Sequence, residues 1–253
     1  MADISKRVWI RWDDGQPFEN TSTLVLTVPS QTFVDVRVFK SHEAPPQTSE
    51  PSTAASGLEW AFSGVAKTEY RDGVCHKTWT HHIDSHTAYG AEPPVDEGDM
   101  FPEPDGVLCR ETGRMANPET GEMSDYEEMW ETVEAKTTGQ DRDKFCLVAT
   151  VGGPAATAHM ARGAMIRIGQ YIQCLLIIDD EVNVERWIYT GEDATDAIDG
   201  STVGSEGWIR VVKLGPRVLP CPWFFRATAR SVGATFEDKT QPWTWTLAEK
   251  SSW

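Results

Sequence analysis

Four of the six histidines in the chain lie within one short segment, HKTWTHHIDSHT, which runs from His76 to Thr87. In a β-strand, alternate side chains point to opposite faces of the sheet. His82, Asp84 and His86 would then share one face, and two imidazoles with a carboxylate can bind a divalent metal. A solvated strand edge is the alternative, and it is favoured because no further ligand is evident nearby. We therefore predict that the protein works without a metal or other cofactor.

His81 would lie on the opposite face of the same strand, between Trp79 and Ile83. This face is the more apolar one, so we expect it to point inward. A histidine inside a ligand cavity can donate a hydrogen bond or act as a general acid or base, because imidazole titrates near neutral pH. An interior histidine can also be a core residue without chemistry. His81 is our candidate catalytic residue.

The elements that would position these side chains are predicted to be strands. Apolar alternation and β-branched residues favour strands at 7–12, 22–28, 32–39, 58–70, 74–85, 144–151, 163–179, 182–191 and 207–215. Only 124–135 also fits a short helix, and its alternation permits a strand. The segment 41–57 is rich in Pro, Ser and Thr and is expected to be a loop. Acidic, Pro- and Gly-rich sequence over 88–124 predicts a division into two β-barrel or sandwich halves, 1–105 and 106–253.

Candidate pocket residues follow from which strand face each side chain would occupy. Six candidates are aromatic or apolar residues on strand faces that we expect to point inward, and two are polar residues that interrupt an apolar hairpin. The substrate-binding candidates are therefore Trp60, Phe62, Trp79, Ile83, Trp187 and Tyr189, together with the polar residues Arg167 and Gln173. The aromatic residues could equally be core residues, and Arg167 and Gln173 could face solvent. The chain has 11 tryptophans, enough for both a core and the walls of an apolar cavity.

Composition excludes several classes of function. The 253 residues carry 23 basic and 39 acidic side chains, a net charge of −16, which disfavours nucleic acid and anionic membrane surfaces as partners. No nucleotide-binding loop, zinc-protease motif or nucleophile elbow is present. The five cysteines contain no Cys-x-x-Cys pair and no secretory signal is visible, which together favour free thiols and a cytoplasmic location.

Four segments, LEWAFSG (58–64), WTHHID (79–84), YEEMWE (126–131) and IRIGQYIQCLL (166–176), together resemble the fungal Hri-type family. Its founding member is named as an interactor of a casein kinase. The resemblance implies a lipocalin-like protein with two β-barrel domains, although strands of the family equivalent to 79–84 carry aromatic residues where this chain has histidines. Lipocalin-like folds also occur among fungal proteins that catalyse Diels–Alder-type cyclisations without cofactors.

The expected function is therefore a cofactor-free cyclase or isomerase. It would catalyse a Diels–Alder or hetero-Diels–Alder reaction, with or without dehydration, on an apolar polyketide or terpenoid intermediate of fungal secondary metabolism. A non-catalytic lipocalin-like protein that binds a ligand or a kinase is the alternative, and a metal-dependent cupin-like enzyme is a third. The expected partner is an apolar small molecule, and the protein could be a monomer or a homodimer.

Overall fold

The computed structural model describes residues 1–40, 57–139, 141, 143–151, 161–191, 202–203, 207–226, 229–237, 241 and 243–253. The segment 41–57, expected to be a loop, lies outside the described residues except for Gly57. All regular elements in the described ranges are antiparallel strands apart from one 3-10 helix, Cys221–Phe224. Within these ranges, no helix has the length and apolar character needed to cross a membrane. The predicted all-β fold is confirmed.

The first eight strands close into a barrel in which each strand pairs with its neighbours in sequence. Their bounds are β1 (Asp3–Trp12), β2 (Thr21–Thr27), β3 (Thr32–Phe39), β4 (Leu58–Arg71), β5 (Val74–Asp84), β6 (Asp96–Pro102), β7 (Leu108–Ala116) and β8 (Met123–Thr132). The barrel closes where β1 pairs with β8, from Ser5 opposite Thr132 to Trp12 opposite Tyr126. The ambiguous segment 124–135 thus supplies the closing strand.

The proposed division between residues 105 and 106 falls between β6 and β7, two paired strands of this barrel. The acidic segment 88–124 contains both strands and the turns beside them. Two of its glycines serve the turns after β6 and β7, since Gly106 and Gly121 have φ values of 69° and 73° that favour glycine. The closed sheet therefore extends past the proposed division to Thr132.

The remaining strands form one open sheet in the order β13-β14-β12-β11-β10-β9-β16-β15. Their bounds are β9 (Phe145–Val151), β10 (Ala161–Ile168), β11 (Tyr171–Ile178), β12 (Glu181–Tyr189), β13 (Thr202–Val203), β14 (Trp208–Leu214), β15 (Thr235–Glu237) and β16 (Thr244–Ser252). One face of this sheet, which includes Trp245 of β16, is covered by aromatic residues of the 3-10 helix such as Trp223 and Phe224.

The other face of the sheet packs against the outside of the barrel. Leu24, Leu26, Val34 and Val36 point out of β2 and β3 and join one continuous apolar core with β9–β12. The residues between them point into the barrel. Both faces of β2 and β3 are therefore buried, and only the inward face is free to build a site.

A candidate ligand site inside the barrel

The barrel encloses a cavity of about 290 Å³. Its walls are aromatic side chains from four strands, with carboxyl and cationic groups set between them. The aromatic residues are Phe33, Trp60, Phe62, Trp79, Tyr126 and Trp130. Because Pro102, Gly106, Val107 and Thr132 line the cavity and are also exposed, it reaches the protein surface beside the β6–β7 turn.

Buried ion pairs lie inside the barrel, next to the cavity. Arg7 donates to Glu128 Oε1 at 2.7 Å and to Glu19 Oε2 at 2.8 Å, and Arg37 donates to Asp35 Oδ2 at 2.9 Å. Such pairs are stable under burial only when each charge keeps a partner. Burial raises the pKa of Asp35 to about 6, although the positive charge of Arg37 acts to lower it.

Glu111 lines the cavity from β7 and is fully buried. The hydroxyl of Tyr126 donates to its Oε1 at 2.8 Å. Burial raises the pKa of Glu111 to about 8, and the negative charges of Glu128 and Asp96 add to the rise. Glu111 therefore holds a proton at neutral pH and can donate it.

His81 lies between two carboxylates. Its Nδ1 is 2.6 Å from Asp84 Oδ2 and its Nε2 is 2.9 Å from Asp96 Oδ2, while its ring stacks on Phe62 with centroids 4.2 Å apart. Burial alone would lower the pKa of His81, but the two hydrogen bonds and the two negative charges raise it to about 9. His81 is therefore an imidazolium that donates through both nitrogens, and it sits behind Asp96 and Phe62, which line the cavity.

A β-bulge decides which way the histidine strand presents its side chains. The pairing of β4 with β5 shifts between Ser63 and Gly64, so that Ser63 is opposite Ile83 and Gly64 is opposite His81. Gly64 is required there because a Cβ atom would lie 1.7 Å from the carbonyl oxygen of Thr80. The bulge inserts one residue and reverses the alternation that follows it.

The expectation that His81 and Ile83 share a face was therefore wrong. His81 points into the barrel, whereas Ile83 packs in the core between the barrel and the second sheet. Asp84 points inward, where it accepts from Trp60 Nε1 at 3.1 Å.

The triplet considered as metal ligands does not converge. His82 is exposed and Asp84 binds His81. His86 stacks on Trp60 with centroids 5.3 Å apart, and its Nε2 donates to Glu59 O at 2.7 Å. In the part of the chain that the structure describes, no group of three or more His, Cys, Asp or Glu side chains is arranged to hold a metal ion.

Of the proposed substrate-binding residues, Trp60, Phe62 and Trp79 line the barrel cavity. The polar candidates of the second half lie elsewhere. Gln173 is buried between the halves, where its Nε2 donates to Leu24 O at 2.9 Å and its Oε1 accepts from Arg186 Nε at 2.8 Å.

Arg167 is buried on the opposite face of the second sheet. It donates to Phe224 O at 2.6 Å and Phe225 O at 3.1 Å, so it holds the 3-10 helix against the sheet. Trp187 and Tyr189 pack in the same aromatic cluster. The ring centroid of Trp187 is 5.1 Å from that of Phe225, and the ring centroid of Tyr189 is 5.6 Å from that of Trp208. The structure does not bring these residues into the barrel site.

The family model described as Protein HRI1 matches residues 3–249. The chain belongs to this family. The resemblance inferred from the four sequence segments is thereby confirmed. The crystal structure of an uncharacterized protein of Saccharomyces cerevisiae, YLR301w, is similar over 99% of each chain, with a TM-score of 0.67 and 17% identity. At this identity the likeness shows the fold alone. Among proteins with curated descriptions, none is significantly similar to the chain.

Sequence reasoning missed the acidic residues of the site in this family member. The segment TFVDVRVF carried a signal, since Asp35 and Arg37 alternate with Val34 and Val36 and so occupy one face of β3. Glu128 shares one face of β8 with Tyr126 and Trp130, which lie two residues away on either side. A charged residue between apolar ones on an inward face indicates a buried ion pair or a ligand site.

Two polar atoms of cavity-lining residues have no partner. Asp35 Oδ1 and Trp130 Nε1 are both buried, and neither makes a hydrogen bond to any residue of the described ranges. A buried polar atom without a partner costs about 1–3 kcal/mol. These two atoms mark where a ligand could supply an acceptor and a donor.

Proposed function

We propose that the barrel binds a small molecule with an apolar body in its interior cavity. The observation that carries this proposal is the cavity of about 290 Å³ between aromatic walls, open to the surface beside the β6–β7 turn. Eight-stranded barrels are wide enough to hold one small ligand. Apolar walls with a few convergent polar groups are typical of ligand sites.

Binding can be tested with the neutral dye N-phenyl-1-naphthylamine, whose fluorescence rises in apolar surroundings. We expect saturable binding of one dye molecule per chain. Met115→Trp adds bulk at the cavity wall and should weaken dye binding about tenfold or more, which corresponds to about 1.4 kcal/mol.

Met123→Trp is the matched control. Met123 lies on the neighbouring strand, is 57% exposed and is not among the cavity-lining residues, so the substitution should leave dye affinity unchanged. Absence of saturable binding, or equal loss in both variants, would reject the proposal.

Cofactor-free catalysis in the same cavity is the second candidate function, and one observation favours it. Glu111 lines the cavity and retains its proton at neutral pH, which suits a general acid for a cyclisation or isomerisation of an apolar polyketide or terpenoid. In this proposal Glu111 takes the acid role that the sequence suggested for His81, because both ring nitrogens of His81 are engaged by Asp84 and Asp96.

A probe reaction tests the acid–base capacity of Glu111 directly. Ring opening of 5-nitrobenzisoxazole needs a base to remove the proton on C3 while the N–O bond breaks and the electron pair ends on the phenolate oxygen. The ionised Glu111 should accelerate this reaction, with a rate that rises through pH 8. Glu111→Gln should lower the rate about 100-fold. A rate that is the same in both proteins would remove Glu111 from the catalytic proposal.

A further inference from the structure

Carboxyl groups outnumber cationic groups around the cavity. Of the charged residues lining it, five are acidic and two are basic: Asp3, Asp35, Asp96, Glu111 and Glu128 against Arg37 and Lys77. Behind this lining, Arg7 pairs with Glu19 and Glu128, and His81 pairs with Asp84 and Asp96. The second layer adds two acids and two cations, so it leaves the acidic excess unchanged.

An acidic excess alone does not make a site, but two unpartnered polar atoms belong to residues that line the same cavity. Asp35 is 2% exposed, and its Oδ1 lacks a hydrogen-bond donor, although Oδ2 accepts from Arg37. Trp130 is 8% exposed, and its Nε1, its single polar side-chain atom, lacks an acceptor. A ligand with a donor group for Asp35 and a separate acceptor atom on its body for Trp130 would satisfy both.

The aromatic walls already interact with a cation. The guanidinium carbon of Arg37 lies 5.1 Å from the ring centroid of Trp60 and 5.2 Å from that of Phe62. Attraction between a cation and the face of an aromatic ring strengthens when both are removed from water. Trp79 and Trp130 offer further indole rings to the same cavity.

We infer that the cavity binds a protonated organic amine with an apolar body, and that Asp35 and Glu111 are the carboxyl groups that receive its charge. The inference rests on the proposed function and specifies the ligand class. A protonated amine is favoured over a quaternary ammonium because Asp35 Oδ1 needs a hydrogen-bond donor, and over a neutral alcohol because the lining is acidic. An anionic ligand would meet the repulsion of the acidic lining.

Binding of the amine should release a proton. Glu111 faces Glu128, Asp96, Tyr126 and Arg37, and among these the two carboxylates and burial hold its proton at neutral pH. An ammonium group beside Glu111 favours the ionised carboxylate, so the proton leaves as the amine enters. Amine affinity should therefore rise from pH 6 to pH 8.5, as first Asp35 and then Glu111 ionises ahead of binding.

Three probes with one aromatic body and different charge test this inference. 2-Phenylethylamine, 2-phenylethanol and 3-phenylpropanoate are each used to displace the dye at pH 7.5. We expect the amine to compete about tenfold or more better than the alcohol, and the propanoate to compete worst. An amine that competes no better than the alcohol overturns the inference, while dye binding itself would leave the proposed function in place.

Two variants test whether Glu111 and Asp35 recognise the charge of the amine. Glu111→Gln and Asp35→Asn should each reduce the ratio of amine to alcohol affinity about fivefold or more while dye binding reports that the cavity is intact. Glu131→Gln is the control, since Glu131 lies on β8 but is exposed and does not line the cavity. An unchanged ratio in both variants would contradict the assignment.

Calorimetry measures the number of protons that are released when the amine binds. Titration of the amine at pH 7 in two buffers that differ in ionisation enthalpy should show release of close to one proton per amine bound, and Glu111→Gln should abolish it. Absence of proton release from the native protein would reject the role of Glu111.

Discussion

Replacing His81 by glutamine removes a buried cation that two carboxylates hold in the barrel wall. The side chain of His81 is 0% exposed, and Asp84 and Asp96 lie at 2.6 and 2.9 Å from its two nitrogens. Glutamine keeps some hydrogen bonding but carries no charge. The variant therefore leaves Asp84, which is 3% exposed, without its cationic partner.

The magnitude follows from the pKa of His81, which is about 9 in the folded protein against 6.5 for the free side chain. At 1.36 kcal/mol per pKa unit this difference corresponds to about 3 kcal/mol of stability. Because the folded pKa is the higher one, this stability is fully present below pH 6.5 and is lost as the pH rises through 9. The native protein should therefore exceed His81→Gln in stability by about 3 kcal/mol more at pH 6 than at pH 10.

Urea unfolding followed by tryptophan fluorescence at pH 6 and at pH 10 measures this difference. His82→Gln is the control, because His82 is the exposed neighbour of His81 at the bulge. The free energy of unfolding of this variant should match that of the native protein at pH 6 and at pH 10. If the free energy of unfolding differs between the native protein and His81→Gln by the same amount at pH 6 and pH 10, His81 is neutral in the folded protein and the reasoning is refuted.

Three further predictions concern the barrel and its contact with the second sheet. Relative to native, Glu111→Gln should become increasingly stabilising as the pH rises from about 4.5 to 8 and level off above 8, because the unfolded chain ionises this carboxyl from about pH 4.5 while the folded protein keeps it protonated up to about pH 8; unfolding at pH 6 and pH 9 tests this. Gly64→Ala should lower the free energy of unfolding by more than about 4 kcal/mol because its Cβ would lie 1.7 Å from Thr80 O, whereas Gly73→Ala, which meets no atom within 4 Å but has φ of 84°, should cost about 1 kcal/mol in the same unfolding assay. Arg186→Met should cost about 2–4 kcal/mol in urea unfolding, because Gln173 Oε1 and Val36 O each lose a donor at 2.8 Å between the halves; an equal effect of the exposed Arg71→Met would contradict the special role of the contact.

The strand pattern made the all-β fold predictable from the sequence. Val34 and Val36 alternate with charged residues in β3, and β11 (Tyr171–Ile178) is buried at every position, as expected for a strand covered on both faces. The pairing of β6, β7 and β8 was not predictable, because the Pro- and Gly-rich segment 88–124 resembles a linker as closely as it resembles a series of tight hairpins.

The candidate site was predictable only as far as regular alternation holds. Trp60 and Phe62 precede the bulge and line the cavity as expected, whereas Ile83 follows it and lies on the other face. Gly64 was the available signal, because a glycine inside a strand often marks a bulge. Arg167 and Gln173 were correctly noticed as polar interruptions, but periodicity cannot separate a buried structural hydrogen bond from a ligand contact.

The packing of the two halves explains why the charged side chains of β3 point into the barrel. Because β2 and β3 bury their outward side chains, including Leu24 and Val36, against the second sheet, Asp35 and Arg37 must point inward. A barrel interior used only for stability would be filled with apolar side chains, since replacing buried ion pairs by apolar residues is often neutral or stabilising. This interior instead keeps a cavity, an acidic excess, a protonated Glu111 and an unpartnered Asp35 oxygen. Each of these features costs folding free energy, and a charged ligand would offset all of them together.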